Sequence, residues 1–334
     1  MDAALIWEWI IKSAIILLGM TGGFAYVTLL ERRVLARMQV RVGPNRAGWN
    51  GLLQPVADGI KLIFKEELIP TAADKLLFIL APVITVVPAL VITAVIPWGD
   101  VVNIGGRMVP LRLADVNVGV PYLMSVASIS VYGIVLAGWS SQNKYAMMGG
   151  LRATSQMISY ELALGLSFVA PILLAGSMSL VDIVNKQKDV WFAIYQPIAF
   201  AIYFIASLAE INRAPFDMPE AEQELTAGYH AEYSGMKFAL FFMAEYIKMI
   251  AVSMIGVTLF LGGYRLPFVE NIGWFGPLVL IAKTIVWLFV LIWVRATLPR
   301  IRYDRLMALG WKVLFPLSLA NILITAVVIV LVGG

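Results

Sequence analysis

The residues best placed to do chemistry are charged side chains inside otherwise apolar runs. Glu161, Glu245, Lys248 and Lys283 each lie in a stretch hydrophobic enough to cross a bilayer. A charge at mid-membrane costs about 2.5–3.5 kcal/mol even on the lenient insertion scale, so such groups face a bundle interior or a wet cavity and mark ion or proton routes. Glu245 and Lys248, three residues apart on one helix face, have a local ion pair as their plain structural alternative. Glu161 follows Tyr160 and has no basic residue within a turn, which suits a carboxyl that exchanges protons. Lys283 is alone in its run. Together the four suggest a polar track through a bundle, and proton transfer is the natural chemistry for it.

Two further groups flank this track. Residues 210–232 carry six acids, Glu210, Asp217, Glu220, Glu222, Glu224 and Glu232, against one base, Arg213. Anionic lipid would repel such a loop, so it faces protein or a water-filled cavity, unless it is a solvated docking surface for a soluble partner. The interleaved Ala214-Pro215-Phe216-Asp217 favours a packed, ordered loop. At the end of the first apolar run stands Glu31-Arg32, where an ion pair can face the interior. Arg33, Arg37, Arg41 and Arg46 follow around a Gly43-Pro44-Asn45 turn, and these four serve equally well as headgroup anchors.

Other chemistries are excluded. The chain has no cysteine and a single histidine, His230, so it ligates no iron–sulfur cluster and no bis-His haem. It has no phosphate loop, no dinucleotide glycine fingerprint and no metal-spaced cluster. Any redox-active group belongs to another chain.

The elements that must position these residues follow from composition. With 60% of its 334 residues hydrophobic and 14% charged, the chain departs from soluble domains, which hold about 45–50% apolar and about 25% charged residues. Charge-poor runs predict an all-α integral membrane protein with eight transmembrane helices, at 13–30, 76–97, 116–140, 153–181, 190–209, 238–263, 271–294 and 313–334. Residues 52–66, with Leu53, Val56, Ile60 and Phe64 at helical spacing and Asp58, Lys61 and Lys65 on another face, predict an amphipathic surface helix on the cytoplasmic side. Folded back under the first span, it would bring Asp58 near Glu31 and Arg32. Of the 25 Lys and Arg, 17 fall in the loops 31–75, 141–152, 210–237 and 295–312, six on the other side and two inside spans. The positive-inside rule makes those four loops cytoplasmic and both termini non-cytoplasmic. The first run lacks the flanks of a cleaved signal and reads as a retained span. No repeat is visible, and the Gly-rich 98–115 stretch reads as a plain connector in one polytopic membrane domain spanning 1–334.

Several segments carry a resemblance over nearly the whole chain. Leu30-Glu31-Arg32-Arg33, Arg41-Val-Gly-Pro-Asn-Arg46, Gln54-Pro-Val-Ala-Asp58-Gly-Ile-Lys61, Ser159-Tyr160-Glu161-Leu162, Ala209-Glu210-Ile-Asn-Arg213-Ala-Pro-Phe-Asp217, Glu220-Ala-Glu222-Gln-Glu224-Leu225 and Arg300-Ile-Arg302-Tyr-Asp304 resemble the membrane H-subunit family of NADH:quinone oxidoreductase, respiratory complex I. Thr226, where a small aliphatic residue is expected, is a minor departure. The resemblance implies a translocase component of the bacterial inner membrane that forms a quinone chamber with peripheral-arm subunits. It implies a quinone channel at Glu31, Arg32, Asp58 and Arg213, and proton coupling through Glu161, Glu210, Asp217, Glu220, Glu222, Glu224 and Glu245. It also implies quinone as substrate, no cofactor on this chain, iron–sulfur clusters and FMN on partner subunits, small membrane subunits as further partners, and no nucleic acid. A hydrogenase-complex relative that uses the fold without quinone, a stand-alone transporter and a purely structural anchor are the alternatives.

Overall fold

The computed structural model describes residues 3–218, 227–269 and 273–333. The expected acids Glu220, Glu222 and Glu224 lie outside the described residues. Among the described residues seven helices are long and apolar enough to cross a membrane, and the protein is a multi-pass membrane protein.

The first helix, α1 (Ala3–Met38), runs well past the expected end of its span and carries Glu31, Arg32, Arg33 and Arg37 on its last two turns. It stops where Val40 adopts a left-handed conformation (φ 55°) and the Arg41 amide bonds back to the Ala36 carbonyl at 2.8 Å, a Schellman-type closure. The surface helix α2 is Gln54–Ile63, ten residues rather than the fifteen suggested by periodicity, with Pro55 in its first turn and no buried residue.

The next spans are α3 (Lys75–Val91), α4 (Gly119–Ser140) and α5 (Lys144–Ala175). Asp74 caps α3 by accepting from the Leu76 and Leu77 amides. Helices α3 and α4 pack closely because Gly133 has no side chain; a Cβ there would lie 2.9 Å from the Ala81 carbonyl oxygen. Between them the expected plain connector forms an ordered hairpin, β1 (Val101–Ile104) antiparallel to β2 (Arg107–Pro110). Its turn is Gly105-Gly106, both at positive φ, the preference of a tight primed turn. The loop expected at 141–152 shrinks to 141–143, because Asn143 caps α5 at Tyr145 and the helix starts nine residues early.

The expected span at 190–209 is not one span-length helix. After α6 (Leu180–Lys186), the chain forms a single turn, α7 (Phe192–Tyr195), then α8 (Pro197–Glu210). Pro197 disfavours helical geometry at the residue before it, and Gln196 sits at φ −128°, ψ 60°. The 14 residues of α8 cover about 21 Å, short of a hydrocarbon core of about 30 Å. The break is buried and hydrogen-bonded: Gln196 donates to Thr325 at 2.9 Å and accepts from Asn321 at 3.2 Å. Exposed to lipid, that non-helical backbone would be costly.

The remaining helices are α9 (Gly235–Phe260), α10 (Gly276–Thr297), the short α11 (Tyr303–Ala308) and α12 (Phe315–Gly333), the last two joined by a π turn at Leu309–Leu314. The π turn lies over Tyr160, whose hydroxyl donates to the Leu306 carbonyl at 2.8 Å. Helix α9 is the centre of the bundle. Nearly every residue from Tyr246 to Phe260 is buried, within one core that includes Tyr203, Phe260 and Trp287. That core fixes the helix bearing Glu245 and Lys248.

Candidate functional site

Four elements converge on α9 around Glu245–Lys248, near its midpoint. Helix α1 brings Glu31, α8 ends on Glu210, the following loop brings Arg213, and α10 brings Arg295 in its last turn. The loop after α8 is held by one side chain. Gln156 of α5 donates to the carbonyls of Ala209 (2.8 Å) and Phe216 (2.7 Å), and Ile301 donates to the Pro215 carbonyl at 3.0 Å. The described part of the acidic loop is therefore packed, as its composition suggests, and the Ala214–Pro215 peptide is cis. Asp217 is half-buried there, and Glu232 accepts from Asn143 at 2.6 Å.

Glu31 and Arg32, adjacent in sequence, part company in space. Glu31 is 4% exposed and points into the bundle, where it pairs with Arg295, lies 3.6 Å from Arg213 and accepts from the Tyr246 hydroxyl at 2.6 Å. Arg32 points outward and donates to Asp58 of α2 at 2.6 Å. The surface helix does fold back under α1, but its carboxylate meets Arg32 alone of the pair.

From Glu31 the charges alternate inward. The Arg213 guanidinium stacks 4.5 Å over the Tyr246 ring and reaches Glu245 at 2.5 Å. Lys248, one turn further along α9, pairs with the buried Glu210 at 2.6 Å and donates to Ser130 at 3.3 Å. The local Glu245–Lys248 pair suggested by spacing is not formed, because both side chains find partners on other elements. Glu161 of α5 accepts from the Ser128 hydroxyl of α4. Lys283 stands apart from these groups. Its ammonium donates to the carbonyls of Leu261 (2.6 Å), Gly263 (3.0 Å) and Arg265 (2.5 Å), holding the chain just past α9.

Cavities connect the pairs. One of about 30 Å³ is lined by Glu245, Glu210, Lys248 and Ser130, and another of about 40 Å³ by Glu210, Lys248, Ser130 and Glu161. Glu210, Lys248 and Ser130 are thus the shared wall between Glu245 and Glu161. A water needs roughly 10–15 Å³ of such space and polar partners, so each cavity has room for at least two. One carboxylate oxygen of Glu210 is buried without a hydrogen-bond partner among the described residues, a position suited to such a water.

Sequence reasoning singled out Glu31, Arg32, Asp58, Glu161, Glu210, Arg213, Asp217 and Glu245 among the described residues, and missed Arg295, Tyr246, Ser128 and Ser130. Arg295 reads as one more basic residue at a helix end. A tyrosine or serine in an apolar run carries no signal until its neighbours across the bundle are known.

The NADH dehydrogenase family matches residues 11–326. Among similar proteins, an NADH-quinone oxidoreductase H subunit of Geobacter sulfurreducens is 52% identical over 318 residues, covering 91% of this chain and 90% of that one. The H subunit of Protochlamydia amoebophila is 54% identical over 302 residues (90% and 91%), and that of Thermomicrobium roseum 52% identical over 317 (92% of each). A match across so much of both chains, in a bundle with this buried charge, places the protein in the NADH dehydrogenase family alongside these H subunits.

Proposed function

We propose that this chain is the H subunit of a proton-translocating NADH:quinone oxidoreductase of the bacterial inner membrane, closing a quinone chamber with peripheral-arm subunits and coupling quinone reduction to proton movement. The observation that carries the reading is the unbroken succession Glu31, Arg213, Glu245, then Lys248 and Glu210, then Glu161, joined by ion pairs and by two cavities with a shared wall. Glu31, Arg32, Asp58 and Arg213 form its quinone end. Glu210, Glu245 and Glu161 form the proton path, entered through Asp217 and the acids Glu220, Glu222 and Glu224.

Reduction of a quinone to its quinol consumes two electrons and two protons. The chain has no cysteine, so its residues do not fit an iron–sulfur cluster, and the electrons come from clusters and FMN on partner subunits. This chain contributes charge and protons. Arginine does not release its proton in proteins, so Arg213 and Arg295 act through position and field. A negative charge developing at the quinone draws on Arg213, which is shared between Glu31 and Glu245, and so loosens its hold on Glu245. Glu245 and Glu210 face one cavity and Glu210 and Glu161 another, so water in these spaces relays protons along the carboxyls. The domain is one polytopic unit with both termini non-cytoplasmic, the broken α7–α8 segment serving as the eighth crossing because it returns the chain to the Glu31 end; the concentration of Lys and Arg on one side supports this orientation.

The test is Glu210→Gln in the assembled complex, reconstituted in vesicles. NADH oxidation by an artificial acceptor stays at the wild-type level, while quinone-linked proton uptake falls about tenfold. Wild-type proton uptake by this variant would sink the coupling role.

A further inference from the structure

A cavity of about 320 Å³ lies between α1, the segment following the hairpin and the start of α10, far from the charged row. Its α1 residues run from Lys12, 19 residues from Glu31 and about 28 Å along the helix, to Gly19, 12 residues and about 18 Å away, so it sits toward the opposite end of the bundle. The volume falls in the roughly 300–1,000 Å³ range of ligand sites. The walls are apolar, from Ile15, Ile16 and Gly19 on α1 to Leu111 after the hairpin and Ile281 on α10. Ile15 and Ile281 are 63% and 42% exposed, so the wall continues onto the outer surface of the bundle.

The rim is polar in a specific way. Lys12 and Arg112 line it. Lys12 pairs with Glu8 at 2.6 Å, Arg107 of the hairpin reaches the same Glu8 at 3.3 Å, and Arg112 pairs with Asp115 at 3.1 Å. Lys12 also donates to the carbonyls of Pro110 (2.6 Å) and Arg112 (3.3 Å), so its ammonium is fixed at the rim. Among the described residues these three cations meet two carboxylates, leaving one positive charge in surplus. Trp98 also lines the cavity, and its indole N–H is buried without an acceptor among the described residues. A buried donor left unanswered is costly unless something accepts from it. Gly19, two turns below Lys12, leaves open space: a Cβ there would meet no atom within 4 Å.

A cationic rim, an unanswered N–H and an apolar trough, ordered along about 10 Å of helix, match an amphiphile with anionic and ester oxygens at one end. We propose that this cavity binds one membrane phospholipid, its phosphate and ester oxygens at Lys12, Arg112 and Trp98 and an acyl chain along Ile15, Gly19 and Ile281. The lipid completes the contact between α1 and α10 at this end, where the protein alone leaves a gap. The site is separate from the quinone end and independent of the coupling role.

The test uses cell membranes carrying the tagged full chain, loaded with a phosphatidylglycerol bearing a diazirine in one acyl chain. After illumination, label should map to peptides containing Ile15 and Ile281, normalised to the chain recovered. Gly19→Leu, whose Cβ would meet no atom within 4 Å and whose side chain takes up space in the trough, should lower that label at least fivefold, whereas Gly22→Leu, with its Cβ also in open space but outside the cavity, leaves it unchanged. Trp98→Phe, which keeps the ring and deletes the donor, should lower it several-fold. Equal labelling of wild type and Gly19→Leu would mean ordinary boundary lipid and overturn the site. Absence of label, as when another polypeptide covers the cavity, or stronger labelling there by a diazirine-bearing quinone, would overturn it equally.

Discussion

Lys248 reaches across the bundle to Glu210 at 2.6 Å and leaves Glu245, three residues earlier on its own helix, to Arg213. The choice follows from burial. Glu210 is 3% exposed at the end of α8 and would otherwise be an isolated charge in a low-dielectric interior. Two cross-element pairs thereby replace one local pair, and α8, α9 and the loop after α8 are tied together by charge.

Lys248→Gln removes one partner of a buried pair, a change that typically costs about 3–5 kcal/mol because the other charge is left uncompensated. The variant complex should melt at a lower temperature and lose most quinone reductase activity. Combining it with Glu210→Gln should recover the melting temperature but not the activity, and a double variant as unstable as the single would show that Lys248 stabilises by some other contact.

Arg295 and Arg213 both engage Glu31. Arg295→Gln and Glu31→Gln should each lower quinone reduction roughly tenfold, and the double variant should be little worse than either, since residues in one network are not additive. Fully multiplicative losses would separate Arg295 from Glu31.

The Ser128 hydroxyl is the donor that answers Glu161. In Ser128→Ala the half-buried carboxyl loses that hydrogen bond. Protons translocated per NADH should fall while electron transfer to quinone falls less; an unchanged ratio would remove Ser128 from the proton path.

The Arg32–Asp58 pair is part-exposed, with Arg32 at 46%, and such pairs contribute about 0–1 kcal/mol. Asp58→Asn and Arg32→Ala should therefore leave the melting temperature within a degree or two and act on function, raising the apparent KM for quinone. A large drop in stability with an unaltered KM would make α2 a structural brace.

Tyr233 stacks on Phe78 at 4.0 Å with rings 2° from parallel, and burial pushes its phenol up to about 12. A phenol whose pKa is raised by folding stabilises the folded state fully below its unfolded value near 10 and ceases to as pH rises through about 12. Tyr233→Phe keeps the stack and should flatten the fall in stability between those pH values, measured by thermal melts across the alkaline range. An identical pH profile would mean that Tyr233 ionises without consequence.

The spans were legible because lipid demands long apolar runs, and the buried acids because charge in such runs is rare. What escaped the sequence was pairing. Spacing put Glu245 beside Lys248, but their partners come from residues 32 and more positions away in the chain, and only the packing of α8 and α1 against α9 selects them. Residues 190–209 read as a span by hydropathy, since Gln196-Pro197 changes a window average little; the helix breaks there, where Gln196 has buried partners in Thr325 and Asn321, and not at Pro82, Pro88 or Pro171, which lie inside α3 and α5. The helical start of α5 was hidden because Lys144 and Arg152 read as loop charges, although Asn143 is a recognisable cap.

Glu161, answered by a hydroxyl rather than a cation, has an arithmetic consequence for the whole row. Glu31, Glu245, Glu210 and Glu161 are four acids, against Arg213, Arg295 and Lys248. Among the described residues the ionised row therefore holds one acid more than it has cations, and the acid left over is Glu161, since each of the other three lies against an arginine or a lysine. Under the proposed function, Glu161 is the member of the row least anchored by a fixed opposite charge and so the one most responsive to a charge arriving at the Glu31 end.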